Sequence, residues 1–214
     1  MSILNLKGYL PIVIITVLNI VILFVRNSIV GNTTYNFLLF NLFLGFVPLL
    51  VALILSGVKN KINNFLLFLG CGLWLLFYPN STYMITDLIH IEPNEQAVVY
   101  DTLIIFSISI LSLFFGFFSL RIIHDLLIPH IGHKWVNVLI IGAIVLSSFG
   151  IYLGRVLRLN SWDLFTNPGK VVSDILGHLW PINENPATYY MIILFSFIQF
   201  VILSLTKELD IERN

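Results

Sequence analysis

Two short polar segments interrupt an otherwise very apolar chain and hold most of the side chains that could do chemistry. The first runs from Tyr78 to His90 and contains Asp87 and His90, three positions apart. If Ser81 or Thr82 begins a helix there, both side chains lie on one face. A carboxylate and an imidazole so placed can transfer a proton, share a metal ion or form a simple ion pair. Asp87 and His90 are therefore the candidate catalytic residues.

A metal site is only weakly indicated. Asp87 and His90 could act as ligands, and Glu92 and Asp101 could add oxygen atoms. Zinc sites, however, use three or four ligands at short spacings such as His-Glu-x-x-His, which the chain lacks. We therefore predict no metal site, and the sequence leaves the cofactor unknown.

The second polar segment runs from Gly154 to Asp163 and brings two arginines, Arg155 and Arg158. Three apart, they are predicted to lie on one face of a helix as it leaves the membrane, where guanidinium groups can bind phosphate or carboxylate in a bidentate way. They could instead extend to lipid headgroups, or one could pair with Asp87. The candidate substrate-binding residues are Arg155, Arg158, Asn80, Tyr83, Asn160, Ser161 and Asp163, of which Asp163 could also pair with an arginine or cap the next segment.

The composition places the chain in a membrane. Of its 214 residues 58% are hydrophobic and 10% charged, whereas a soluble domain typically carries about 25% charged residues. The zero net charge argues against a nucleic-acid partner. The length suits one compact bundle with no separate soluble domain.

The apolar runs predict an all-α, polytopic transmembrane helical bundle of about six spans. A spanning helix needs about 20 mostly apolar residues, and Pro79 is expected to end the third span at Tyr78. We treat residues 1–214 as a single integral membrane domain with spans at residues 9–25, 37–57, 62–78, 102–120, 136–154 and 189–205.

The distribution of Lys and Arg predicts the orientation, because cytoplasmic loops carry an excess of both. One side of the six-span arrangement would hold Lys7, Lys59, Lys61, Arg121, Lys134, Lys207 and Arg213, and the other only Arg26, Arg155, Arg158 and Lys170. Both termini are thus predicted to be cytoplasmic and both polar segments extracytoplasmic. There, an acidic loop with Asp87, Glu92, Glu95 and Asp101 could pair with the basic loop that follows Gly154.

A short amphipathic helix is predicted in the last outer loop, between Pro168 and Pro181. It would lie in the membrane interface or pack over the mouth of the bundle. Its apolar side chains are Val171, Val172, Ile175, Leu176 and Leu179, and Trp162, Phe165 and Trp180 bracket it like interfacial anchors.

Two small-x-x-x-small motifs predict close helix contacts. They are Ser112 with Gly116, and Gly150 with Gly154. The second would place Arg155 beside a neighbouring helix instead of in lipid.

Together, the two polar segments resemble the signatures of a bacterial multi-pass membrane family, catalogued as domain of unknown function 1361. Its pattern is roughly Pro-Asn-x-Pro-Tyr-x-x-Thr-Asp-x-x-His, then Gly-Arg-x-x-Arg-x-Asn-Ser-Trp-Asp, and Thr82 replaces the second proline here. The resemblance implies a bacterial cytoplasmic-membrane protein and gives no substrate. The matching positions are Pro79, Asn80, Tyr83, Thr86, Asp87, His90, Gly154, Arg155, Arg158, Asn160, Ser161, Trp162 and Asp163.

Three functions remain open from the sequence. The first is a polar site on the extracytoplasmic face that binds or processes an anionic lipid or a lipid-linked substrate. The second is a non-catalytic scaffold or accessory subunit with an envelope protein partner. A small transporter is less favoured, because coupled transport needs ionisable residues near the bilayer midplane. The main polar residues inside the spans are Asn19, Asn41 and Gln199.

Overall fold

The computed structural model describes residues 6–91, 97–179 and 185–211 and confirms an all-α fold, with no strand in those ranges. The helices are α1 (Leu6–Val30), α2 (Phe37–Val58), α3 (Asn64–Tyr83), α4 (Val98–Arg155), α5 (Asp163–Thr166), α6 (Pro168–Leu179) and α7 (Pro186–Ile211). Two 3₁₀ helices, Thr34–Asn36 and Met84–His90, precede α2 and follow α3.

Five helices in the described part of the chain are long and apolar enough to cross a membrane, and the longest contains two of the predicted spans. This is α4, whose 58 residues are interrupted at Gly132 (φ 76°, ψ 158°). Glycine adopts such a positive φ without a steric penalty. The number of membrane passes stays a prediction.

The two arms of α4, residues 98–131 and 133–155, run back alongside each other from Gly132. Near the bend, His124 Nε2 lies 3.3 Å from Asn137 Oδ1. At the far end, Asp101 and Arg155 both belong to one connected group of polar side chains, described below. The connector between the predicted spans at residues 102–120 and 136–154 is therefore helical on both sides of one glycine.

The centre of the bundle is α4, which packs against α1, α2, α3 and α7. Its buried face includes Ile105, Ile108, Leu111 and Phe115. By contrast, most apolar side chains of α1 are exposed, as expected for a peripheral helix that contacts lipid.

Small residues let α3 and the second arm of α4 approach closely, as the Gly150–Gly154 motif predicts. A Cβ atom on Gly150 would lie 2.7 Å from Cγ of Pro79, and one on Gly154 would lie 3.1 Å from the ring of Tyr83. The other motif is also in close contact, since Ser112 packs against Gly45 and Gly116 against Ser81. Both motifs are confirmed as points of close approach.

Pro79 does not end α3, so the predicted end of the third span at Tyr78 is wrong. The helix continues to Tyr83, although proline lacks the N–H that an α-helix needs and disturbs the preceding turn. The Ser161 hydroxyl donates to the carbonyl of Leu76, 3.1 Å away, and so gives this turn a hydrogen bond from outside the helix. Gly150 leaves space for the proline ring.

The predicted amphipathic helix is present as α6. Of its apolar side chains, Val171 is buried whereas Val172 and Leu176 are exposed. The predicted helix stop at Pro181, the anchor Trp180 and the acidic side chains Glu92 and Glu95 lie outside the described residues.

We predict that Gly150→Ala destabilises the protein by about 1–3 kcal/mol, because the new methyl group overlaps the Pro79 ring and the helices must move apart. Gly142→Ala, in the same arm of α4, is the control, since nothing lies within 4 Å of its new Cβ. Thermal unfolding in detergent measures both. Equal unfolding temperatures for the two variants would contradict the predicted role of Gly150.

Candidate functional site

Arg155, the last residue of α4, is the centre of a polar cluster. Its Nη2 donates to Asp87 Oδ1 (2.5 Å) and its Nε to Thr86 Oγ1 (2.8 Å). Its Nη1 lies 2.9 Å from His90 Nε2, and its guanidinium carbon lies 4.3 Å from the centre of the Tyr83 ring. One arginine thus holds four side chains from the end of α3 and the following 3₁₀ helix.

The 3₁₀ helix explains why Asp87 and His90 reach the same arginine. With three residues per turn, positions i and i+3 lie directly above one another. The prediction that Asp87 and His90 share a face is therefore confirmed, although no helix begins at Ser81 or Thr82. Ser109 supports this helix by donating to the carbonyl of Met84 (2.7 Å).

Asp87 is almost completely buried, with 1% of its side chain exposed. Its second oxygen, Oδ2, accepts a hydrogen bond from Nδ2 of Asn41 in α2 (3.0 Å). Both carboxylate oxygens therefore have protein partners, an arrangement suited to a counter-ion for Arg155. From the sequence, Asn41 was identified only as a polar residue inside a predicted span and was not among the candidate site residues.

The side chain of His90 is exposed, and its contact with Arg155 determines which role Nε2 has in the hydrogen bond. Arginine has only N–H donors, so Nε2 of His90 must accept the hydrogen bond. A hydrogen bond in this direction is possible only with the tautomer that carries its proton on Nδ1. The His90 carbonyl accepts from the Tyr35 hydroxyl (2.9 Å). No group of three His, Cys, Asp or Glu side chains in the described residues could hold a metal ion.

Arg158 has a different environment from Arg155, and the prediction that the two share a helix face is wrong. The helix ends at Arg155, and Arg158 has a left-handed backbone (φ 55°) that turns the chain away. The Leu159 N–H then donates to the carbonyl of Leu153 (3.1 Å). Arg158 is exposed and makes no hydrogen bond or ion pair with the described residues.

The loop after Arg158 is shaped by its own polar side chains. Asp163 Oδ2 accepts from the backbone N–H of Asn160 (2.6 Å), so Asp163 fixes the turn and pairs with neither arginine. Asn80 Nδ2 donates to the Ser161 hydroxyl (3.2 Å), which connects this loop to α3.

A groove of about 1580 Å³ joins these residues to an apolar surface. Its polar end is lined by Asn80, Tyr83, His90, Arg155, Arg158, Asn160 and Ser161. Its apolar walls include Leu66, Leu69, Leu73 and Leu76 of α3, Leu146, Phe149 and Leu153 of α4, and Val171, Ile175 and Leu179 of α6. Asp87 and Asp163 do not line it. The structure thus brings seven of the nine candidate residues together around one groove.

A second buried ion pair, which the sequence did not predict, lies at the same end of the bundle. Arg26 of α1 donates to both carboxylate oxygens of Asp101 (2.7 and 3.1 Å), and both side chains are at most 3% exposed. The Arg26 guanidinium also lies over the Tyr35 ring, 4.7 Å from its centre. Tyr35 bonds to His90, so the two ion pairs are connected. Only the three-dimensional contact reveals this pairing.

We predict that Arg155→Gln destabilises the protein by about 3–5 kcal/mol, because Asp87 then remains buried without a counter-ion. Arg158→Gln, three positions later, is the matched control and should leave the unfolding temperature unchanged, since Arg158 makes no hydrogen bond or ion pair with the described residues. Unfolding in detergent measures both variants.

A double-mutant cycle tests whether loss of the Arg155–Asp87 ion pair causes this destabilisation. Asp87→Asn combined with Arg155→Gln should lose less stability than the sum of the two single changes. Strict additivity would mean that the ion pair is not the source of the loss.

Comparison with known proteins agrees with the resemblance seen in the two polar segments. A family model described as a protein of unknown function, DUF1361, matches residues 40–202. This range contains every residue that lines the groove. No curated protein and no solved structure matches the chain significantly.

Proposed function

The chain belongs to the DUF1361 family of unknown function, and from the geometry of its groove we propose that it binds an amphiphile with an anionic headgroup. The headgroup would lie at Arg158 and the hydrocarbon along α3. In this proposal the site faces the extracytoplasmic side of a bacterial cytoplasmic membrane, and the ligand is an anionic lipid or a lipid-linked molecule.

The observation that carries the proposal is the guanidinium of Arg158 at the polar end of the groove, which has no hydrogen bond or ion pair in the described part of the chain. Arginine binds phosphate and carboxylate in a bidentate way because its planar N–H donors match their oxygen atoms. Arg155 is already held by Asp87, Thr86 and His90, whereas Arg158 has its donors available. A groove for a purely apolar molecule would not need this charge.

The shape of the groove supports a long hydrocarbon chain. Its lining along α3 extends from Leu66 to Pro79, which is about 20 Å at 1.5 Å per residue. Pockets for drug-sized ligands are typically about 300–1,000 Å³, and this groove is larger. Gly70 and Gly72 lie along this wall and leave it without side chains at two positions.

The other candidate residues have supporting roles in this proposal. Asn160, Ser161 and Tyr83 line the polar end and would orient the headgroup, while Asn80 holds Ser161 in place. His90 would offer its exposed imidazole as a hydrogen-bond donor. Asp87 does not line the groove, so we assign it the positioning of Arg155 instead of proton transfer to the ligand.

We expect native mass spectrometry of the detergent-purified protein to find an anionic amphiphile that is lost in Arg158→Gln. The loss follows because the headgroup would give up its charged partner. Lys134→Gln is the matched control, since it removes the same charge from an exposed residue beside Gly132, at the other end of the second arm of α4. Equal retention in both variants would contradict the role of Arg158.

We expect Gly72→Phe to block the hydrocarbon part of the groove without destabilising the fold. Gly72 lines the groove, and nothing lies within 4 Å of a Cβ built there. Gly142→Phe is the control, because that glycine also faces open space but does not line the groove. The same mass measurement should show ligand loss only in the first variant. Undiminished binding in Gly72→Phe would argue against this path for the chain.

A second candidate is an accessory subunit of an envelope complex. The internal pairing of Asp87 with Arg155 favours it, because those charges then serve the architecture of the chain. The exposed apolar side chains Leu164, Phe165, Val172 and Leu176 of α5 and α6 would form the contact surface. A wild-type protein that carries no ligand after gentle purification would favour this candidate.

A further inference from the structure

We infer that the groove selects a headgroup with a single negative charge, such as a phosphodiester or a carboxylate. This inference rests on the proposed function and adds the charge class of its ligand. It follows from a count of the charged groups that line the polar end and of the charges that the protein itself already neutralises.

Among the described residues, two cationic side chains line the groove, Arg155 and Arg158, and no Asp or Glu does. His90 also lines it, but its hydrogen bond from Arg155 requires the neutral ring. The charge of Arg155 is matched by Asp87, which contacts it directly from a buried position. Within the described lining of the groove, the uncompensated charge is therefore that of Arg158.

The neighbouring charged groups do not alter this count. Asp163 accepts a hydrogen bond from the backbone N–H of Asn160 and makes no ion pair with Arg158. Lys170 and Asp174 on α6 lie outside the groove lining and carry opposite charges. Asp87 cannot turn toward the ligand without leaving both Arg155 and Asn41.

Charge balance then selects the headgroup. A headgroup charge that gives up part of its water on entering the groove is favoured only where the protein offers an opposite charge. A monoanion matches Arg158 one to one. A dianionic phosphomonoester would leave one negative charge without a partner, and a zwitterion would bring a cation close to the guanidinium.

The test measures binding to the purified full-length protein in neutral detergent, by native mass spectrometry. The probes share dioleoyl chains and differ in headgroup charge: phosphatidylglycerol (−1), phosphatidylcholine (0) and phosphatidic acid (about −1.5 to −2 at neutral pH, as for other phosphomonoesters). For the wild type we expect phosphatidylglycerol to bind about tenfold more tightly than either of the others, since charge-assisted hydrogen bonds differ by about this much.

Two variants should move this preference in opposite directions. Arg158→Gln removes the uncompensated charge, so phosphatidylglycerol should lose its advantage over phosphatidylcholine. Asp87→Asn leaves Arg155 without its counter-ion and so adds a second uncompensated charge to the groove lining, and phosphatidic acid should become the preferred ligand.

The outcomes separate this inference from the proposed function. Lipid binding by the wild type that ignores headgroup charge, or that favours phosphatidic acid, would overturn the single-charge inference and leave the amphiphile groove intact. No binding of any of the three lipids would overturn the proposed function itself. Inorganic phosphate bound as tightly as phosphatidylglycerol, and lost in Arg158→Gln, would show that the ligand is a free anion and would overturn both.

Discussion

The ion pair between Arg155 and Asp87 is the interaction on which the polar end of this bundle depends. A buried carboxylate is costly unless it is paired and its remaining lone pairs are satisfied, and here Arg155 and Asn41 satisfy both of its oxygens. The pair connects three elements at once, α2, α4 and the 3₁₀ helix after α3. The same guanidinium packs on the Tyr83 ring and binds His90, so the end of α3 is fixed by one side chain.

Close helix packing makes this pairing possible. Gly150 and Gly154 have the same four-residue spacing as Pro79 and Tyr83, and each glycine faces one of them across the contact. Arg155 follows directly after Gly154 and is thereby placed above the Tyr83 ring. In a membrane, where apolar side chains gain little by leaving lipid, such close contacts are a main source of helix association.

The contrast between the two arginines links this architecture to the proposed function. Arg155 is enclosed by protein partners and fixes the position of the 3₁₀ helix after α3. Arg158 lies beyond the end of α4, and its guanidinium has no partner in the described structure. A helix that continued for one more turn would have placed both on the same face. The left-handed residue at Arg158 separates them, so the groove receives one free charge at the end of an apolar wall.

The sequence by itself determined the class of the protein, its helical nature and the segments that form the site. Apolar composition, the length of the hydrophobic runs and the small-residue spacing are local properties, and the structure agrees with them in the helices and their close contacts. The helix ends were less predictable. Pro79 is accommodated because Ser161, 82 positions later, donates to a carbonyl in the preceding turn, and no local pattern carries that information.

Only the tertiary structure decided which charges pair. From the sequence alone, Arg155 and Arg158 could each have paired with Asp87 or with another carboxylate of the acidic loop, such as Asp101. The bend at Gly132 returns the second arm of α4 to the end where Asp101 begins the first, so that Arg155 reaches Asp87. The packing of α1 against α4 brings Arg26 to Asp101. Electrostatic attraction depends on distance and burial, and both are set by how the helices pack, which is why Arg155 is paired whereas Arg158 makes no ion pair with the described residues.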